Sequence, residues 1–175
     1  MVQPVGRMTT GVLRALTAGL MMTTSCLNPF APRLDTNLHA DLCNDLTKID
    51  NVLCVFRNAY AFKDTTLYGS VFAQEFTFLY RDYDRGVDVS WGRDEEMRTT
   101  YGLFQNVESL TLVWNNEIPI SVSDTLMSIQ RAFNLTVTFN PSDITRVDGN
   151  AALTFARGTS SDQWKIVRWR DESNY

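Results

Sequence analysis

The chain is poor in the residues that most protein chemistry depends on. It has one histidine, His39, and three cysteines, Cys26, Cys43 and Cys54, among 175 residues. A Ser–His–Asp triad would have only His39 to draw on, and no second Cys or His stands at ligand spacing, so no metal site is expected. GxSxG, Walker-type and CxxC patterns are missing, and no cofactor is implied. Five prolines and nine glycines exclude a collagen-like or Gly/Pro-rich chain. No long basic run occurs and the formal net charge is −4, which argues against nucleic acid as a partner. No apolar run reaches the roughly 20 residues that carry a helix across a bilayer. No internal repeat is visible.

What is present is a core. Hydrophobic residues make up 44% of the chain, with 10 Phe, 6 Tyr and 4 Trp. That is ample for one domain of ordinary size and excludes a disordered chain.

The first 25 residues contain no acid, and they carry Arg7, Arg14, the apolar stretch ALTAGLMM (Ala15–Met22) and the small residues Thr23, Thr24 and Ser25. This is the pattern of a secretory signal peptide. With Cys26 next, it resembles a bacterial lipoprotein signal, in which the Cys is acylated and becomes the mature N-terminus. Thr23 stands where that signal usually has Leu. The alternatives are secretion without lipid, Cys26 being a bystander, and a cytosolic chain. Loss of residues 1–25 removes two arginines and no acid, taking the net charge from −4 to −6. Residues 26–46 then form the lipidated N-terminus and tether, with the domain spanning 47–175. Leu27 rather than Asp after the Cys implies, by the same resemblance, the periplasmic face of the outer membrane. Cys43 and Cys54 can form a disulfide in such a compartment. The apolar setting of Cys54 favours the other alternative, a free thiol acting as a small hydrophobe.

Helical spacing of Ile49, Val52, Leu53, Phe56, Ala59 and Tyr60 predicts a helix over Ile49–Phe62, with Thr47 or Asp50 as N-cap. A short helix follows at Thr66–Phe72, then a strand with Phe76, Phe78 and Tyr80 alternating with Thr77, Leu79 and Arg81. Asp82–Gly92 reads as an irregular loop. A helix with Asp94, Glu95 and Glu96 in its first turn runs to about Asn106. Strands are expected at Ser109–Asn115, Ile129–Asn140, Ala151–Arg157 and Trp164–Arg170. In the last, Trp164 and Ile166 are assigned to one face and Val167 and Trp169 to the other. Helices followed by consecutive strands imply an α+β fold with an antiparallel sheet.

This order, with EFTFLYRDYD after the helix pair and QWKIVRWRDE near the C-terminus, resembles the nuclear transport factor 2-like superfamily, in particular its small bacterial lipoproteins. The resemblance covers about Lys48–Glu172. It implies a bent antiparallel sheet wrapped around the N-terminal helices, a cone with an apolar cavity (the cystatin-like fold). In ketosteroid isomerases of that group a helical Tyr donates to an oxyanion and a strand Asp acts as base. The resemblance places the donor near Tyr60 and the acid near Asp82 or Asp84. The plainer reading is that Tyr60 belongs to a core-facing helix and the aspartates order turns.

The segment Arg81–Glu96 mixes three Arg, six acids and one Trp, and reads as an internally ion-paired loop or as a ligand rim using Trp91 and Arg93. A ligand would meet Tyr60, Tyr80, Trp91, Arg93 and Trp114. Trp114, Phe133, Phe139, Trp164 and Trp169 on predicted strands exceed what one interior was expected to bury, which suggests a homodimer through the sheet; outward Thr136, Thr138, Arg168 and Arg170 would suit a monomer instead. The function expected is a non-catalytic, lipid-anchored envelope protein that binds a small apolar ligand or another envelope protein. The alternative is a small cavity enzyme, of isomerase, cyclase or hydrolase type, using a buried acid and Tyr60.

Overall fold

A computed structural model describes residues 43–173. The expected signal peptide, Cys26, His39 and nearly all of the tether lie outside the described residues. Helix α1 spans Ile49–Phe62 and buries Val52, Leu53, Val55, Phe56, Ala59 and Tyr60 on one side. Its N-cap is Lys48, without a side-chain cap, rather than Thr47 or Asp50. Asp45 explains this: it engages Thr47 through both the backbone N–H and the hydroxyl, so Thr47 is not available to the helix. Lys63 ends α1 in the left-handed region, with its N–H on the carbonyls of Ala59 and Tyr60. Helix α2, Thr65–Ser70, begins at once, capped by Asp64, whose carboxylate accepts from Leu67 N–H at 2.9 Å.

Strand β1 (Phe72–Asp82) and strand β2 (Val87–Gly92) form a hairpin where the loop Asp82–Gly92 was expected. Helix α3, Arg93–Asn106, starts directly from Gly92. Strands β3 (Ser109–Val122), β4 (Leu126–Asn140) and β5 (Asp143–Ala156) are longer than the sequence implied, and β6 (Lys165–Asp171) closes the set. The sheet has six strands in the order β2-β1-β6-β5-β4-β3. All neighbours are antiparallel except β1 and β6, which are parallel, correcting the expectation of an all-antiparallel sheet.

The sheet is curved and open, and the helices fill its concave side. Register shifts interrupt β3 between Trp114 and Glu117 and again between Pro119 and Ser121. Others lie along β1–β6 and β5–β6. Bulges of this kind bend a strand and increase its twist. The shift on β6 also resets side-chain parity. Ile166 pairs with Phe155 and Arg168 with Thr154, so Val167 is the extra residue. Ile166 and Trp169 therefore both turn inward, where strict alternation had assigned them to opposite faces.

The interior absorbs more aromatics than expected. Phe133 and Trp164 are buried and Trp114 and Trp169 pack against the core, while Phe139 alone of the five is exposed. Rings meet around Phe56, which contacts Tyr60 and Tyr68 at 5.2 Å, Trp114 and Trp169 at 5.5 Å and Phe72 at 6.0 Å. Such pairs contribute about 0.5–1.5 kcal/mol each beyond area burial. The surplus of strand aromatics that suggested a partner is thus largely covered within one chain. Cys43 and Cys54 are joined in a disulfide, which ties the start of the domain to α1. Cys54 is accordingly not a free thiol.

Candidate functional site

A cavity of about 220 Å³ lies between the helices and the concave face of the sheet. Helix α1 supplies Phe56 and Tyr60 to its wall, β1 supplies Phe78, and β2 supplies Trp91. Strands β3, β4 and β6 add Trp114, Phe133 and Trp169. Trp114 is fixed by its indole N–H, which donates to the Leu53 carbonyl at 3.1 Å. Trp91 stacks on Phe78 with centroids 4.5 Å apart. Thr99 on α3 is exposed and marks a side of the cavity open to solvent.

Set into this apolar wall is a carboxylate. Glu96, on the first turn of α3, is only 5% exposed. Its Oε1 accepts from the Tyr68 hydroxyl at 2.6 Å and from the Thr100 hydroxyl at 3.2 Å, and its Oε2 accepts from the Trp91 indole N–H at 2.7 Å. An indole N–H can only donate, so Oε2 is an acceptor, and the three donors are all neutral. Tyr68 is fully buried; burial first, then the fields of Tyr60 and Glu96, raises its phenol well above the ordinary value of 10.0. It therefore stays protonated and donating. Asp171, at the end of β6, is a second carboxylate in the lining, and the Ser173 N–H donates to it at 2.9 Å. The lining includes no Lys, Arg or His among the described residues.

Of the residues expected at a site, the structure brings Tyr60, Trp91 and Trp114 to the cavity. Tyr80 packs edge-on against Trp91 without reaching the lining. Arg93 turns toward α2, where its guanidinium donates to the Gly69 carbonyl at 2.9 Å. Asp82 orders the β1–β2 turn by accepting from Arg85 N–H at 2.9 Å, and Asp84 is exposed in that turn. Neither aspartate meets the cavity, because the strand carries them past its rim before the chain reverses. Arg81–Asp88 and Arg85–Asp82 ion pairs show the charged segment holding its own hairpin. Glu96 and Tyr68 were missed. Asp94 and Glu95 beside Glu96 are exposed, and the run reads as ordinary dipole complement. The available signal was spacing: Glu96, Thr100 and Phe104 stand four apart and form the buried stripe of α3.

No family model matches the chain, and no curated protein matches it. Solved structures do. A Novosphingobium aromaticivorans protein assigned as a scytalone dehydratase superposes with a TM-score of 0.62 at 14% identity, over 73% of this chain and 82% of that one. A Streptomyces avermitilis protein, assigned as a dehydratase of the nuclear transport factor 2-like family, gives 0.59 at 16% identity, over 75% of this chain and 97% of that one. The chain has the nuclear transport factor 2-like fold. The beta subunit of an aromatic-ring-hydroxylating dioxygenase, also from Novosphingobium aromaticivorans, adds a third instance, with a TM-score of 0.59 at 10% identity over 73% and 87% of the two chains. At these identities the likeness extends to the fold. In nuclear transport factor 2-like terms the cavity here is the interior of the cone, with α1 and α3 forming one side and all six strands contributing to the other. Among the described residues, no helix is long and apolar enough to cross a membrane.

Proposed function

We propose that this chain is a lipid-anchored protein of a bacterial envelope whose cone holds one small, ring-shaped, largely apolar molecule. The observation that carries the reading is the aromatic cavity of about 220 Å³. An engineered apolar cavity of ~150 Å³ takes benzene, so this one has room for a substituted ring of about ten non-hydrogen atoms. The envelope address is supported by the signal-like N-terminus with Cys26. The Cys43–Cys54 disulfide is what an oxidising compartment allows.

Binding rather than turnover is favoured by the state of Glu96. Its carboxylate is clamped by three donors, and a base so held has little freedom to follow a proton. Native mass spectrometry of protein extracted from membranes should show a bound mass in the range of a substituted ring. Protein that is consistently empty, with tryptophan fluorescence unmoved by a panel of ring compounds, would refute the binding role. Cys26→Ala should move the protein from the membrane fraction to the soluble one; unchanged partition would remove the anchor.

One observation favours a second reading, a small cavity enzyme of isomerase, cyclase or hydrolase type. A buried acid does border the cavity, although it is bonded to Tyr68 where Tyr60 was expected. Consumption of a ring substrate by wild type, abolished in Glu96→Gln, would establish it over the binding role.

A further inference from the structure

We infer that the molecule held in the cone carries a positively charged nitrogen, the cavity being an anionic aromatic cage for an organic ammonium ion. The inference rests on the cone being a small-molecule pocket and adds the charge class of its occupant.

The walls come first. Three indoles, Trp91, Trp114 and Trp169, share the lining with Phe56, Phe78 and Tyr60. Neighbouring rings stand steeply to one another: Phe56 and Trp114 at 64°, Phe56 and Trp169 at 70°, Phe78 and Trp169 at 81°. The rings therefore do not share one plane, and a cation in the space they line meets aromatic surface from several directions, indole being the strongest partner for a cation.

The charge comes second. Glu96 is buried in that wall, and its three hydrogen bonds all come from neutral groups. Neutral donors solvate a carboxylate without cancelling its charge, and the low-polarity surroundings leave that charge poorly screened. Asp171 adds a second acid to the lining, with no cationic side chain in it among the described residues. An anionic ligand would meet the Glu96 carboxylate in a confined space. A neutral ring would fill the volume while leaving the field of Glu96 unused. A ring-bearing ammonium uses both. Glu96 has two oxygens with about four acceptor positions and three donors on them, so one position remains for an N–H of a protonated amine. A quaternary nitrogen would rely on the ring faces and on the field of Glu96, without a hydrogen bond to it.

The test uses tryptophan fluorescence titration of the purified protein with three probes of nearly equal shape. These are phenyltrimethylammonium, its neutral isostere tert-butylbenzene, and the anion benzenesulfonate. The ammonium should bind about tenfold or more tightly than the neutral isostere, with benzenesulfonate weakest. Glu96→Gln should weaken the ammonium about tenfold and leave tert-butylbenzene unchanged. Trp169→Leu, which keeps the position apolar while removing a ring face, should narrow the same gap without touching the Glu96 clamp. Equal or tighter binding of the neutral isostere overturns the cation while leaving the ring pocket standing. Failure of all three probes overturns both.

Discussion

The hydrogen bond between Tyr68 and Glu96 makes a quantitative prediction. A bond to a charged acceptor is worth about 1.5–3 kcal/mol. Tyr68→Phe deletes the donor, but Glu96 keeps Thr100 on one oxygen and Trp91 on the other. The loss should therefore fall at the low end, about 1.5–2 kcal/mol. Glu96→Leu acts differently, because it takes the carboxylate acceptor away from the fully buried Tyr68 hydroxyl, at about 1–3 kcal/mol. The half-buried Trp91 N–H adds about 1 kcal/mol, whereas the Thr100 hydroxyl can turn back to its own helix at little cost. Together these give about 3 kcal/mol for Glu96→Leu. In the double variant the orphaned hydroxyl is gone and apolar faces apolar. Its cost should fall short of the summed single costs by about 2 kcal/mol. Urea unfolding followed by tryptophan fluorescence measures all three, and with a slope near ~1.5 kcal/mol/M the Tyr68→Phe midpoint should drop by about 1 M. Single costs that simply add, within about 0.5 kcal/mol, would show that the bond is not made in solution.

Alkaline stability should depend on the same phenol. In the unfolded chain Tyr68 ionises near 10.0, and in the folded one well above it. Its contribution is therefore whole below 10.0 and lost as pH rises from there through the folded value. Tyr68→Phe should flatten the alkaline fall of the melting temperature, and an equally steep fall in the variant would contradict this. Cys43 and Cys54 are 11 residues apart, and cross-linking a loop of that length stabilises by about 2.5–3 kcal/mol. Reduction should lower the urea midpoint accordingly, and alkylation of two free thiols in the unreduced native protein would disprove the bridge. A Cβ on Gly149 would lie 2.7 Å from Phe133 Cζ and 1.8 Å from Ser173 Oγ. Gly149→Ala should thus push Phe133 toward the cavity, costing about 1–3 kcal/mol and weakening ring probes; unchanged stability and binding would show that the site relaxes elsewhere.

Legibility in the sequence followed how one-sided each element's surroundings are. Helix α1 faces the core on one side and water on the other, so its stripe gave both ends, Ile49 and Phe62. Strand β2 carries Val87, Val89 and Trp91 in alternation, but it is short and mostly exposed, and the DYDRG turn before it dominated the reading. The outer halves of β3 and β5 are exposed almost throughout, so no burial pattern marks them. Pro119 lies in the outer half of β3. It is tolerated because β3 is an edge of the sheet. The cone interior followed from the resemblance, Tyr60 and Trp114 from their helix and strand, and Trp91 from the charged segment read as a ligand rim. Glu96 was hidden because its role depends on donors from α2 and β2, which no local spacing reveals.

Strand β6 lies between β1 and β5, although it is made last. The β1–β2 ribbon joins the rest of the sheet only through those seven residues, Lys165–Asp171. A chain emerging from its N-terminus, from a ribosome or through a membrane pore, holds two unconnected pieces of sheet until its final segment is free. Contacts such as Phe72 with Ile166 make the topology dependent on long-range closure. The domain therefore has no means of completing itself before β6 is in place, and that strand acts as the latch that joins the two pieces.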